Sequence, residues 1–416
     1  LGHYSGPGNR YDVIVIGGGP AGAMTGYHLA KAGIRVLVLE AKQFPRQKPC
    51  GGGLQRRAMA SIPFDIAPIV RGTIHRVSVS YGLGVPCQRA YAEPLVHTIL
   101  RPEFDEFLLH QAERSGAAIC QGVRCRGLEL TPDGFVRIDS GAGPFLARCV
   151  VGADGANSVV RTLLNPRDRY FWQAALFCEV PRELLNAHAL DMESIRVDWG
   201  TLPSGYAWAF PKRDYVNFGA GAPISVARHL KAYVSQFLRA SDMVCEQASR
   251  RLNFVGHQLP TLTPEAQIAN RRVLLVGDAA GFIEPFTGDG ISFACQSAEM
   301  AARCISRSLS SSHVDLRSYT AAVRAELMDE LGWSRKLLSL SAAFPSRIYR
   351  IFKENDVVWH TFCKVLRGED SFRHLKKEIL GPFAFASRAI DWLAERLERR
   401  TIRGAIVHPM AGLSGR

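Results

Sequence analysis

Residues 11–40, YDVIVIGGGPAGAMTGYHLAKAGIRVLVLE, decide how the rest of the chain is read. Val13-Ile14-Val15-Ile16 is a short apolar run rich in β-branched residues, the pattern of a strand buried on both faces. Gly17, Gly19 and Gly22 then spell G-x-G-x-x-G, with Pro20 and Ala21 inside the turn, where that strand should become a helix. The first glycine allows a tight turn, the second lets backbone approach a pyrophosphate, and the third lets helix pack on strand. A helix starting there aims free N–H groups and its positive dipole end at phosphate. It should run through Ala23 to Lys31 and stop near Gly33. A second buried strand, Val36-Leu37-Val38-Leu39, ends in Glu40, whose carboxylate can accept hydrogen bonds from an adenosine ribose. The glycine motif alone is weak evidence. The complete strand, glycine turn, helix, strand and acid together predict a dinucleotide site.

Residues 13–30 carry no Asp, Glu, Lys or Arg, which raises the question of a membrane span. Five of those residues are glycine and one is proline, a composition suited to a phosphate loop and not to a spanning helix. The chain has 416 residues, enough for two or three domains, and its 47% hydrophobic and 21% charged content is ordinary for a globular protein. The opening LGHYSGPGNR reads as a tag remnant or trimmed end, and no secretory signal is visible. A net charge of +13 favours an anionic partner. No aromatic-basic stripe, zinc spacing or basic run points to nucleic acid. None of the ten cysteines forms C-x-x-C, so free thiols in a reducing compartment, and no metal, are expected.

After Glu40, the stretch Phe44-Pro45-Arg46-Gln47-Lys48-Pro49-Cys50-Gly51-Gly52-Gly53-Leu54 must be a loop. Three consecutive glycines lose much conformational entropy on folding, so backbone in close contact with a flat ligand is the functional expectation. Residues 73–80 (TIHRVSVS) read as one half-buried strand, and 85–98 as its continuation in a sheet. Pro102 suits the first turn of a helix beginning near Arg101, which could reach a phosphate or stand in solvent. Strands are expected over 117–121, 123–130 and 135–139. A further buried strand leads into Gly152-Ala153-Asp154-Gly155, where Asp154 can accept from the loop or a ligand.

From 171 to 259 the texture turns to strands and turns without βαβ rhythm. Tyr206, Trp208 and Phe210 fall on one face by the strand period of two, an arrangement that also suits an ordinary core. Val276-Gly277-Asp278 repeats the strand-to-glycine-acid pattern. Gly288 and Gly290, then Ile291, precede a helix over 292–308, a second N-terminus that could stabilise negative charge. The last hundred residues read as basic helices. Ile390, Leu393 and Leu397 share one face against Arg388, Glu395 and Arg399; covering the core is the plain reading, membrane-surface contact the other.

In order, these signatures resemble the flavoproteins of the glutathione-reductase FAD fold, in the para-hydroxybenzoate-hydroxylase-like branch. The resemblance covers roughly residues 11–312. Pro45-Arg46-x-Lys48-Pro49-Cys50-Gly51-Gly52 and Tyr206-x-Trp208-x-Phe210-Pro211, with Gly219 at the matching distance, resemble two motifs of its geranylgeranyl reductase family. Asp289 stands where that family usually has glutamate, which keeps the charge. The resemblance implies an α/β fold: a Rossmann-like FAD-binding domain (1–69, 101–168, 265–312), an inserted β-sheet substrate domain (70–100, 169–264) and a C-terminal helical region (313–416).

It further implies FAD held by Gly17, Gly19, Pro20, Ala21, Gly22, Glu40, Cys50, Gly51, Gly52, Arg101, backbone at Val123, Asp154, Gly277, Asp278, Gly288, Gly290 and Ile291. Tyr206, Trp208 and Phe210 would wall an apolar pocket, and Cys50 would tune the flavin, supply a proton or merely pack. The implied activity is reduction of carbon–carbon double bonds in an isoprenoid, with NAD(P)H or a small electron carrier as reductant. An FAD monooxygenase of an aromatic substrate, even a protein side chain, is the alternative. A hydrophobic or lipid substrate and a cytoplasmic location, peripheral on the inner membrane face, go with the first reading.

Overall fold

The computed structural model describes residues 10–164, 170–244, 252–311, 313–380 and 396. The C-terminal face carrying Arg388, Ile390, Leu393, Glu395, Leu397 and Arg399 lies outside the described residues, as does Cys245.

The first sheet is built on the opening apolar run. β1 (Arg10–Ile16) lies between β2 (Val36–Glu40) and β11 (Phe145–Gly152), parallel to both, and β2 pairs in parallel with β8 (Ala118–Gln121). β10 (Val136–Ser140) and β9 (Cys125–Leu130) extend it antiparallel beyond the start of β11, while β17 (Val273–Leu275) runs parallel to the end of β11. Val13, Ile14, Val15 and Val38 are fully buried, because helices Pro20–Lys31, Arg101–Arg114 and Ile291–Leu309 form the adjoining layer. A parallel sheet covered in this way needs continuous apolar strands, which is the pattern these residues show.

The second sheet runs β16 (Val255–Leu262), β12 (Tyr170–Pro181), β15 (Tyr215–Pro223), β14 (Tyr206–Pro211), β13 (Ser194–Trp199), β5 (Arg76–Tyr81), β6 (Cys87–Ala90). Helix Leu230–Ser241 packs on it through Tyr233, Val234, Phe237 and Leu238. Two sequence expectations are corrected here. Residues 73–80 do not make one strand: the chain turns at His75, so β4 (Val70–Ile74) leaves the second sheet and joins β7 (Val96–Ile99) and β3 (Gly53–Gln55) in a small third one. Residues 85–98 likewise divide between β6 and β7, with Pro94 in the interruption. No glycine or proline marks the first break. It is dictated by the tertiary pairing of Thr73 with His97 and of Val77 with Arg89.

Helices Met328–Ala343, Pro345–Glu354, Asp356–Arg367 and Phe372–Leu380 close over the second and third sheets. The attachments are specific: Trp359 donates its indole N–H to the Ala90 carbonyl at 2.9 Å, and Arg367 donates to the Pro94 carbonyl at 2.7 Å. Among the described residues, no helix is long and apolar enough to cross a membrane.

Candidate active site

The glycine turn is built by steric necessity. Gly17 has φ +106°, and a Cβ there would stand 2.3 Å from the Ala153 carbonyl oxygen; one on Gly22 would stand 1.8 Å from the Gly17 carbonyl oxygen. Helix Pro20–Lys31 therefore sits directly on the end of β1, and no side chain caps its N-terminus at Gly19. Glu40 braces the turn, accepting from the Gly18 N–H at 2.8 Å and the Lys42 N–H at 2.9 Å. Val123 is not in a strand, as 123–130 had suggested; β9 begins at Cys125, and the Val123 N–H donates to the Glu40 carbonyl at 2.9 Å.

A cavity of about 600 Å³ starts at this turn. Gly17, Gly19, Pro20, Ala21, Glu40, Cys50, Gly51, Gly52, Arg101, Val123, Asp154, Asp278, Gly288, Gly290 and Ile291 all line it, as do Tyr206, Trp208 and Phe210. Gly277 stands just behind, so close that a Cβ would meet Ala21 at 2.7 Å.

Several of these side chains have partners within the protein. Arg101 donates to both oxygens of Asp105, at 2.7 and 2.8 Å, and Arg46 lies 3.2 Å from the same carboxylate. Burial alone would lower the Arg101 pKa; Asp105 and the Cys50 sulfur beside it more than reverse this and raise it. Asp154 accepts from the Ser158 hydroxyl and from the N–H groups of Val159 and Val160, which makes it an anchor for the start of helix Val159–Leu164.

The two family-like motifs meet in space. A Cβ on Gly51 would lie 3.2 Å from the Trp208 indole nitrogen, and one on Gly53 only 2.8 Å from the Phe210 ring. Aromatic side chains of β14 thus crowd Gly51 and Gly53, while Gly52, at φ +69°, is pressed by the Ile99 carbonyl and Lys212; these contact partners are invisible in the loop's own sequence. Lys212, just beyond β14, fixes the loop by donating to the carbonyls of Gly52 (3.2 Å) and Ile99 (2.7 Å), and burial lowers its pKa to about 8. Trp208 donates to Asn217 at 2.9 Å, and Gly219 lies beneath its ring, where a Cβ would come within 2.3 Å of the indole. A Gly219→Ala substitution is expected to tilt Trp208 off Asn217 and cost about 1–3 kcal/mol. A lower melting temperature with a shifted tryptophan emission checks this.

Sequence reasoning missed four partners. Lys48 lies 2.5 Å from the His257 ring on β16 and 3.9 Å from Asp278. Burial, then the Lys48 charge, lowers His257 to about 4, so the ring is neutral near pH 7 and accepts from Lys48. Asp105 and Lys212 lay in stretches without a motif, and Glu284 has no sequence signal beyond its place before Pro285. The far half of the cavity was missed as well: Phe352, Trp359, Phe362 and Leu366 line it from the covering helices, and Phe286 from the loop before helix Ile291–Leu309.

The near half fits a flavin dinucleotide. It offers a helix N-terminus that no side chain caps, and the basic side chains of Arg46, Lys48, Arg101 and Arg124 for two phosphates. Glu40 sits at the end of β2, and the second helix N-terminus at Gly290 meets the same cavity. Residues 10–170 match the family described as FAD binding domain. The chain is 34% identical to an uncharacterized protein of Methanosarcina barkeri, over 77% of this chain and 80% of that one. It is 30% identical to the chloroplastic geranylgeranyl diphosphate reductase of Arabidopsis thaliana, over 70% of this chain and 65% of the plant protein. A geranylgeranyl bacteriochlorophyll reductase-like protein of Thermoplasma acidophilum superposes with a TM-score of 0.76 at 22% identity, covering 94% of this chain and 99% of its own. With these relatives, the chain belongs to a family of FAD-dependent oxidoreductases that has geranylgeranyl reductases among its members.

Proposed function

We propose that this enzyme reduces carbon–carbon double bonds of an isoprenoid chain. The observation that carries the reading is the continuity of one cavity, polar and basic at the glycine turn and aromatic from Tyr206 to the covering helices. When bound and reduced, FAD supplies the hydride. An unactivated alkene offers no carbonyl to polarise, so the protein's part is to align the chain and exclude water. Trp208 and Phe210 are held rigidly for that task, one by Asn217 and the other by packing against Gly53. Tyr206 donates to the Thr287 carbonyl at 2.5 Å, which leaves its ring as wall. Two donors point at the Cys50 sulfur, the Gly52 N–H at 3.3 Å and the Arg101 guanidinium. That arrangement suits a loop-setting residue and leaves the proton to another source.

Reduction of the flavin by NAD(P)H or a small electron carrier, a lipid-chain substrate and a peripheral membrane contact belong to the same proposal. The test is anaerobic: protein reduced with dithionite is mixed with geranylgeranyl diphosphate. A product heavier by two hydrogens per bond supports the reading. Substrate-stimulated oxygen uptake with a product heavier by oxygen would instead establish a monooxygenase. The double variant Trp208→Ala, Phe210→Ala is expected to lose on the order of 100-fold in kcat/KM while retaining flavin, because the chain is no longer aligned. Unchanged turnover in that variant removes these residues from the pocket assignment.

A further inference from the structure

Glu284 lies on the loop before helix Ile291–Leu309 and is completely buried. Its carboxyl group gathers four neighbours: the N–H groups of Phe286 at 2.5 Å and Thr287 at 2.9 Å, and the hydroxyls of Thr287 and Ser334. Burying an ionisable group at such depth is costly. One of the four neighbours leads out. Thr287 lines the cavity, and its hydroxyl oxygen also accepts from Gln55 Nε2 at 2.9 Å. Its carbonyl holds the Tyr206 hydroxyl. The buried acid is therefore one hydroxyl away from the cavity, at the edge of the aromatic wall.

We propose that Glu284 stores the proton for the saturation step and passes it to the substrate through the Thr287 hydroxyl; this rests on the reductase reading above. When Glu284 is protonated, it and Gln55 both donate to the Thr287 oxygen, so the hydroxyl's own hydrogen turns to the cavity. When Glu284 is ionised, the hydroxyl turns back to the carboxylate. In the step, the alkene π bond breaks. One carbon takes the hydride, with its electron pair, supplied by anionic reduced flavin. The other carbon takes the proton of the Thr287 hydroxyl as that oxygen receives the proton of Glu284. The products are oxidised flavin, a saturated bond and a Glu284 carboxylate, one negative charge having passed from flavin to glutamate. Water entering after product release returns the proton by the same hydroxyl.

The surroundings tune the store. Burial raises Glu284 to about 7, against the Thr287 and Phe286 hydrogen bonds and the Arg57 charge, which pull it down. Arg57 is paired with Glu330 of the covering helix Met328–Ala343 at 3.0 Å. On the same loop, burial also raises Asp289. Tyr206, facing from β14, is raised by burial and by both acids and stays neutral. Arg335, on the Ser334 helix, is turned to the Leu262 carbonyl.

The test compares wild type, Glu284→Gln, Thr287→Val and Thr287→Ser, each confirmed folded by its flavin content. With geranylgeranyl diphosphate and dithionite, wild-type kcat is expected to be level below about pH 7. Above it, kcat should fall about tenfold per pH unit, because the protonated acid is the active form. Glu284→Gln and Thr287→Val are expected to lose on the order of 100-fold and to lose that limb, with Thr287→Ser restoring most of the rate. Infrared titration of the oxidised holoenzyme without substrate gives an independent readout. A protonated-carboxyl band should disappear through neutral pH in wild type and be missing from Glu284→Gln. An active wild type whose pH limb survives in Glu284→Gln, a Thr287→Val enzyme at full rate, or a spectrum without the band overturns the relay alone. A wild type that saturates no double bond overturns the reductase reading and the relay with it.

Discussion

Gly22→Ala protein is expected to purify colourless. The added methyl would lie 1.8 Å from the Gly17 carbonyl oxygen and 3.2 Å from the Ala153 side chain. Gly17 cannot retreat, because it is already pressed on the Ala153 carbonyl in a conformation that only glycine adopts comfortably. Relief requires helix Pro20–Lys31 to lift from β1, which opens the turn and carries the free N–H groups away from the phosphates. A forced backbone shift at a buried junction costs about 3 kcal/mol. Lost dinucleotide contacts add to this. The ratio of flavin to protein absorbance after desalting, together with a melting curve, checks the expectation. Stoichiometric flavin in this variant would show that the turn is far more plastic than its contacts allow.

The second large effect is expected at Asp105, which is fully buried between Arg101 and Arg46. Asp105→Ala leaves two largely buried guanidinium groups without their shared carboxylate. Removing one partner from a buried ion pair costs roughly 3–5 kcal/mol. Arg46, 3.8 Å from Glu40, would draw closer to that acid and disturb the brace of the glycine turn. Lower melting temperature and faster flavin dissociation should therefore appear together. Added salt should do little to mimic the effect, because the cluster is shielded from mobile ions. Asp105→Asn, which keeps an acceptor, should show a smaller loss. Equal stability of the alanine variant and wild type would mean that the arginines find other anions.

The site's near half was legible because its constraints are local. A glycine is needed where backbone crosses backbone, and an acid at the end of β2 faces the turn only a short span of chain away. Strand alternation put the aromatic triplet on one face, the family resemblance made that face a pocket wall, and its three side chains do line one cavity. Other features depend on partners far away in sequence. Lys212 gains its role from carbonyls at Gly52 and Ile99, and His257 gains its own from Lys48. The break at His75 carries no turn residue, since it reflects competition between two sheets for one segment. The covering helices read as amphipathic covers of a core. That reading could not reveal that Phe352 and Trp359, besides packing, form a ceiling over the cavity.

The order of the central strands has a consequence for how the chain is made. β1 pairs with β11, and β11 with β17, so neighbours in the finished sheet leave the ribosome far apart in time. At ordinary elongation rates, the strand over Arg10–Ile16 waits on the order of ten seconds to a minute for Val273–Leu275. Throughout that interval the apolar run Val13–Ile16 lacks its complete sheet, and nucleation from such distant pieces is slow. The same pairing that places two acidic glycine turns side by side thus leaves β1 and β11 with an unpaired edge until the last strand is made.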